Sequence, residues 1–463
     1  MEYMIQLLHF YLLSWFIFKL KKKYETQPLG RWWYVAVFIK IIFGVFYGIL
    51  YIKVYGSGGD SLLYFKEVSV LVELAYKDFN TYFTFLFSNQ YFPYLDLSEE
   101  VWQQSRVLVT VKLLSIWQIF TLNNYWLQGF YLSFLSGWAM WYMANVLVKL
   151  FPNTYISVVF SFFLFPSIQL WSSGYTKESI TMFFLCFSLA FFLGLYFKII
   201  VWQKQRWIII FTWLFAFFWL YLVKFYYLAA LVPTIFAFLL TDYCIKKIEA
   251  TQKFNKLYFF PYFLFGLIWI MLVLPITQIH YTLHLDYFLL ALTYNHNSTY
   301  IHSLPQDLIH YSIYPAQGYI SLEGYSYWSY IYNAPLAFFS ACFRPFLWET
   351  YQQKLKILMA MENLIFMIFV ILTILISFKK YIFSFFQKQK TNQNLSIYLL
   401  TFALLWYGVI LLTLLAFASP NLGGLMRYRI AVYPFWLYFF MANSGIKFYL
   451  IEKIFQRIGF YQK

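Results

Sequence analysis

Apolar runs of about 16 to 25 residues recur along most of this chain, separated by short polar or basic stretches. Runs of that length match an α-helix crossing the hydrocarbon core of a bilayer, whereas a half-buried strand alternates with period two over a few residues. The pattern predicts spans at about 4–20, 33–53, 128–150, 154–171, 176–200, 207–222, 225–240, 257–278, 355–377, 397–418 and 428–449. The expected fold is therefore all-α: a polytopic membrane protein with about eleven transmembrane helices, forming a single transmembrane domain over 1–463. The run Arg106 to Leu122 carries Arg106 and Lys112. Counting it as a crossing would reverse every later loop, and as an interfacial helix it keeps Lys204/Arg206, Lys246/Lys247 and Lys379/Lys380 on the inner side.

Composition agrees with this reading, with 62% hydrophobic and 11% charged residues. A net charge of +16 in a soluble chain would suggest nucleic acid, but here the cations cluster between apolar runs, as the positive-inside rule predicts. Of 34 Lys and Arg, 21 fall inside and 11 outside, with Lys40 and Lys53 within or at the end of a span. The acids inside are Glu25, Asp242, Glu249 and Glu452, so most carboxylates face out. The first run, Met4 to Leu20, ends in Lys21-Lys22-Lys23, the reverse of a signal peptide, and is read as a retained helix with its N-terminus outside and the chain's C-terminus inside. Cys186, Cys244 and Cys342 show no ligand-like spacing.

Two outer loops are long, 54–127 and 279–354, and mix aromatics, Pro, Gly and charges as folded or membrane-hugging segments with interfacial helices do. The inner stretch Gln387 to Asn394 is a polar connector. Asp60 follows Gly56, Gly58 and Gly59, which let the backbone approach a ligand closely. It reads either as a general base or cation ligand, or as a solvated turn residue. Lys177 and Glu178 fall at the outer start of a returning helix, where Thr176 would cap, Glu178 would favour the first turn, and Lys177 would snorkel or meet a phosphate. Lys224 stands at an expected outer turn within the apolar stretch Trp207 to Leu240. Arg344 and Glu349 lie in FRPFLWE, and Arg427, Tyr428 and Arg429 open the last span against the positive-inside trend. Guanidinium groups there suit an anionic ligand such as a lipid-linked phosphate, with lipid head groups or Glu349 as the other partners.

Five histidines (His280, His284, His296, His302, His310) lie in the second long loop. The spacing of His280, His284 and Asp286 would suit a metal if helical, but reads as surface histidines, so no metal site is assigned. GYSYWSYIY (Gly324 to Tyr332) offers rings for sugar faces or the bilayer. A phosphate-binding Walker loop, a GxSxG elbow, HExxH and a dinucleotide GxGxxG are all absent, which argues against an ATP-driven pump or a soluble-type hydrolase.

The order of parts resembles the GT-C superfamily of integral-membrane glycosyltransferases, protein mannosyltransferase-like members included. The resemblance rests on an Asp near the start of the first outer loop, an interfacial helix, a span ending in ANVLVKLFP (Ala144 to Pro152), the outer turn FPSIQLWSSG and a late RYRIAVYPF. It implies transfer of a sugar or glycan from a polyprenyl-phosphate-linked donor to an acceptor at the outer face. It also implies an aspartate, here Asp60, that activates the acceptor or binds a metal, and phosphate-binding cations, here Lys177, Arg427 and Arg429. Lys224 and Arg344 share that face, with Glu178, Glu349 and Tyr428 in support. No cofactor is assigned, and a divalent cation is the option the resemblance leaves open. Membrane lipids and the lipid-linked substrate are the expected partners, without nucleic acid. The expected location is a bacterial inner membrane, with the active face toward the periplasm. Ser61 stands where many members carry Glu, and the first span is additional. FRPFLWE resembles membrane proteins of surface-polysaccharide systems, which keeps a polymerase or ligase of lipid-linked glycans beside the single-sugar transferase. A transporter or flippase of anionic lipid-linked substrates and a noncatalytic scaffold are the other readings. Lys40 and Glu362 are the main intramembrane ions.

Overall fold

The computed structural model describes residues 2–55, 60–88, 92, 95–103, 105–199, 206–249, 259–279, 284–303, 308–309, 327–350, 354–386, 395–446, 448–457 and 459–460. Among them all regular structure is helical, apart from an isolated antiparallel bridge between Leu308 and Asn421. Six described helices are long and apolar enough to cross a bilayer: Tyr3–Tyr24, Gly30–Val54, Lys177–Tyr196, Ile210–Ile248, Lys356–Ser377 and Leu395–Ala418. The chain is thus all-α and has the apolar helices of an integral membrane protein. It divides into two compact units, Met1–Phe225 with Lys447–Lys463, and Tyr226–Ile446.

In the first unit the helices are α1 (Glu2–Tyr24), α2 (Trp33–Leu50), α3 (Asp60–Lys77), α4 (Phe79–Phe87), α5 (Glu99–Gln103), α6 (Ser105–Phe120), α7 (Tyr125–Leu150), α8 (Tyr155–Val159), α9 (Pro166–Trp171) and α10 (Lys177–Tyr196). The core is α7, packed by α2 and by α10. Apolar side chains gain little from leaving lipid, so helices there associate through close fit at small residues. Accordingly α7 buries Gly129, Ser133, Ser136 and Gly137. A Cβ on Gly137 would stand 3.0 Å from Lys40 Cγ, and one on Gly44 of α2 would collide with Ser133 Oγ. The expected first outer loop is largely helical, with α3 lying on α6. Asp78 caps α4, accepting from Thr81 N at 3.1 Å and from the Thr81 hydroxyl at 2.5 Å. Those hydrogen bonds hold its carboxyl below the usual range.

α11 (Arg206–Glu249) runs for 44 residues, and its backbone leaves the helical region at Lys224, with φ −144° and ψ 72°. The second unit continues with α12 (Phe260–Ile279), α13 (Leu285–Ile301), α14 (Tyr327–Phe343), α15 (Lys354–Phe386), α16 (Leu395–Ala418), α17 (Leu422–Tyr428) and α18 (Tyr433–Asn443). Here α16 packs against α14 and α13, and α15 against α18. Asp242 ties α11 to α16, pairing with Lys246 at 2.6 Å and accepting from Ser396 Oγ. A last helix, α19 (Tyr449–Arg457), returns to the first unit, where Phe455 meets Trp32 edge-on at 5.0 Å.

Several expected spans are altered, each for a visible reason. The run 154–171 breaks at Phe165, which the following Pro166 holds extended at φ −79°, ψ 111°. The run 428–449 is divided by a 3-10 turn at Arg429–Ala431, and α18 has only 11 residues. The turn expected between 207–222 and 225–240 is a single non-helical residue, Lys224, inside α11. The run 106–122 meets α7 at a bend of 110°, and Lys112 is turned inward, donating to Ser88 O at 2.5 Å over the Phe85 ring. The connector Gln387 to Asn394 and Lys204 lie outside the described residues.

Candidate functional site

Asp60 is the first residue of α3, exposed, where a carboxylate meets the positive end of the helix dipole. Gly56, Gly58 and Gly59 lie outside the described residues. The next side chain turns the other way. Ser61 is buried, its hydroxyl donating to Tyr175 O at 2.7 Å and lying 2.8 Å from Tyr125 Oη. Tyr175 Oη donates to Gln118 Oε1 at 3.1 Å. The Gln118 amide donates to Asn123 Oδ1 at 2.5 Å and Ser69 Oγ at 2.9 Å. This chain of satisfied polar groups fastens the start of α3 to α6, to α7 and to the turn before α10. A carboxylate at 61 would be driven into this closed network and away from Asp60.

The turn before α10 is positioned with equal care. Ser172 accepts the Lys40 ammonium on its carbonyl at 3.3 Å and on its hydroxyl. Lys40 is 1% exposed, so an apolar span carries a cation whose contacts here are a carbonyl and a hydroxyl. Gly174 has φ +80°, and its N–H donates to Ser133 Oγ at 2.8 Å. A Cβ there would stand 2.9 Å from Tyr47 Cδ1 and 3.2 Å from Gly44 O. Gly174→Ala is therefore expected to destabilise the first unit by about 1–3 kcal/mol, read as a lowered melting temperature of the purified protein. Thr176 caps α10, accepting from Glu178 N at 3.3 Å and donating its hydroxyl to the Glu178 carboxylate.

Two cations flank that cap differently. Lys177 is half-buried, its ammonium 4.1 Å from the centroid of the Tyr64 ring. Tyr64 lies one turn after Asp60 on the same face of α3, so Asp60 and Lys177 border one edge of the unit. Lys224, expected on the outer surface, is 4% exposed and pairs with Glu178 at 2.8 Å. Glu178, expected in a supporting role, is thus the counter-ion at the break in α11.

In the second unit Arg344 binds Glu349 through Nε at 2.8 Å and Nη2 at 2.7 Å, and Glu349 Oε2 accepts from Phe346 N at 2.9 Å. Arg429 is buried, with its guanidinium 4.2 Å over Tyr433 and Nη1 donating to Arg344 O at 3.2 Å. Its Nη2 has no hydrogen-bond acceptor among the described residues. The Tyr433 hydroxyl donates to Cys342 O and lies 3.2 Å from Asn363 Oδ1, so this corner ties α14, α15 and α18 together. Arg427 is half-buried, its Nη2 donating to Tyr428 Oη at 3.0 Å, while Tyr428 O accepts from Tyr227 Oη at 3.0 Å.

Among the described residues no group of three or more His, Cys, Asp or Glu is placed to hold a metal ion. Asp60 belongs to no such donor set among the described residues. His284 precedes α13 with extended backbone (ψ 136°), so the helical spacing that would join it to Asp286 does not form. His280, His310 and Gly324 to Ser326 lie outside the described residues. His296 is buried with Nδ1 3.0 Å from Phe417 O, a packing position. Sequence reasoning did not single out Tyr64, Gln118, Tyr125 and Tyr175. Of these, Tyr64 alone had a local signal, its spacing of four from Asp60. Compared with protein-family models, curated proteins and solved structures, the chain matches none.

Proposed function

We propose that this protein is a membrane glycosyltransferase that moves a sugar or glycan from a polyprenyl-phosphate-linked donor to an acceptor hydroxyl, with Asp60 as the general base. The observation that carries the reading is the edge formed by Asp60, Tyr64 and Lys177: an exposed carboxylate, an aromatic ring and an ammonium on a scaffold fixed by the Ser61 network. In the reaction the acceptor oxygen attacks the anomeric carbon as the carbon–oxygen bond to phosphate breaks. Asp60 takes the hydroxyl proton, and the bond's electron pair leaves with the polyprenyl phosphate. Lys177 offsets the charge gathering on that phosphate, and the Tyr64 ring suits a sugar face.

The accompanying topology has about eleven crossings, counting both parts of α11 and the broken segments around α9 and α18. It sets Asp60 toward the periplasm of a bacterial inner membrane. Lys224, Arg344 and Arg429, engaged by Glu178, Glu349 and Tyr433, act in this reading as scaffold. Arg427, half-buried with Nη2 on Tyr428 Oη, is in this reading the second unit's candidate for an anionic group. Lys177→Gln is expected to raise KM for a polyprenyl-phosphate hexose about tenfold or more, roughly the value of one charged contact, in membranes assayed for transfer of labelled sugar. An unchanged KM and kcat would remove Lys177 from the site.

A second reading, transport of an anionic lipid-linked substrate, is favoured by the buried ions Lys40, Glu178 and Lys224 and by the interrupted helices around Pro166 and Arg429. Proteoliposomes distinguish the two. Transfer of labelled sugar with the donor confined to one leaflet supports the enzyme, and movement of intact donor between leaflets supports the transporter.

A further inference from the structure

At the other end of α7 from Asp60 and Tyr125, the first unit contains a cavity of about 220 Å³. With a rise of about 1.5 Å per residue, the stretch of α7 from Tyr125 to Trp141, the first α7 residue of the cavity wall, is about 24 Å long. The cavity is therefore distinct from the candidate site.

Its walls are built rather than incidental. The turn after α1 is pinned to α7 by two hydrogen bonds, Leu29 N to Asn145 Oδ1 at 3.0 Å and Trp141 Nε1 to Leu29 O at 2.9 Å, and within α7 Asn145 Nδ2 donates to Trp141 O at 2.8 Å. Tyr24 packs on Trp141 with ring centroids 4.9 Å apart, and Tyr142 completes the aromatic lining. At the rim stand Lys23 and Lys149, both exposed, and among the described residues neither forms an ion pair with a carboxylate.

The ordinary account of these lysines is that they complement the C-terminal dipoles of α1 and α7. Each helix end carries only about half a negative charge, and two full positive charges exceed that. The rim keeps a positive excess, above a floor of indole, phenol and amide edges at the level where apolar helices end. That combination suits a group with a phosphate anion at one end and an apolar body beside it. A volume of about 220 Å³ equals roughly seven waters, enough for a phosphate with a short polar extension.

We infer that this cavity binds a phosphate-bearing headgroup of an anionic membrane lipid, through Lys23 and Lys149 at the rim and Tyr24 and Tyr142 on the wall. The site is independent of the transfer reaction and would hold the lipid against α1 and α7.

The test uses the purified full-length protein in detergent, titrated with short-chain phosphatidylglycerol, with phosphatidylcholine of the same chains and with inorganic phosphate, bound ligand being counted by native mass spectrometry. Phosphatidylglycerol should bind and phosphatidylcholine should not. Lys23→Gln and Lys149→Gln should each weaken binding about fivefold, and the double variant about 25-fold. The control is Lys21→Gln with Lys22→Gln, which removes two positive charges from the end of α1 at positions that do not line the cavity. Equal weakening by that control, or unchanged binding in the Lys23/Lys149 double variant, overturns the inference. Inorganic phosphate that displaces the lipid at equal concentration would support phosphate recognition and name free phosphate as the ligand. Lipid retained against phosphate would support the headgroup.

Discussion

Asp60→Asn should lower sugar transfer from a polyprenyl-phosphate donor by about 100- to 10,000-fold, the usual cost of removing a general base. The fold should tolerate the change. Asp60 is exposed at the start of α3, where its carboxylate meets the helix dipole, an interaction of about 0.3–1 kcal/mol that Asn retains in part. A hundredfold rate loss corresponds to about 2.7 kcal/mol in the barrier, so activity should fall far more than stability. The variant should insert in membranes and elute from size exclusion as the wild type does. Asp60→Glu, which keeps the base but displaces it, should recover part of the activity. Full activity in Asp60→Asn would eliminate the proposed mechanism, and loss of the folded protein in both variants would instead assign Asp60 to structure.

The largest stability effect is expected at Glu178 and Lys224. Their side chains are 4% and 5% exposed and 2.8 Å apart, so removing one partner leaves a buried charge without its counter-ion. Lys224→Met or Glu178→Gln should each cost about 3–5 kcal/mol, seen as a marked drop in melting temperature and in the yield of monodisperse protein. Glu178→Met combined with Lys224→Met should recover most of the loss, because apolar replacements of a buried pair are frequently neutral. A double variant as unstable as the sum of the singles would mean that Glu178 and Lys224 act through different partners. The result also bears on transport, since a carrier that uses this pair would stop moving substrate in the stable double variant.

The helices were legible in the chain wherever an apolar run was uninterrupted, as in Lys356–Ser377 and Leu395–Ala418, because length and hydropathy are local properties. The interruptions were harder to place. Pro166 is visible in the sequence, but whether it bends a span or ends it depends on the neighbours that take up the freed backbone groups. Lys224 looked like a turn because a charged residue stood midway along an apolar stretch, and its partner Glu178 lies 46 positions earlier. The exposed end of the site was readable, since Asp60 follows three glycines. Its support was not. Ser61, Tyr125, Tyr175 and Gln118 meet across separations of 57 to 114 residues, and no spacing rule links them. The arginines near Tyr428 were expected to share a role, yet burial separates them. Arg429 is enclosed over Tyr433, whereas Arg427 stays half-exposed beside Tyr428.

Lys40 also sets an order of events during synthesis. Its acceptor Ser172 is 132 residues further along the chain, so at about 5–20 residues per second the helix containing Lys40 waits roughly 7–26 s before that acceptor is made. In the meantime a lysine near the centre of a span costs about 2.5–3.5 kcal/mol at the translocon, against about 0.3–0.6 kcal/mol returned by each Val, Ile or Phe around it. The stretch VAVFIKIIFGVF supplies nine such residues, enough to carry the helix into the bilayer with its charge unmet. The Lys40 ammonium can reach its Ser172 oxygens only after the turn before α10 has been made. On the ribosome, α2 is in place before the turn it will anchor.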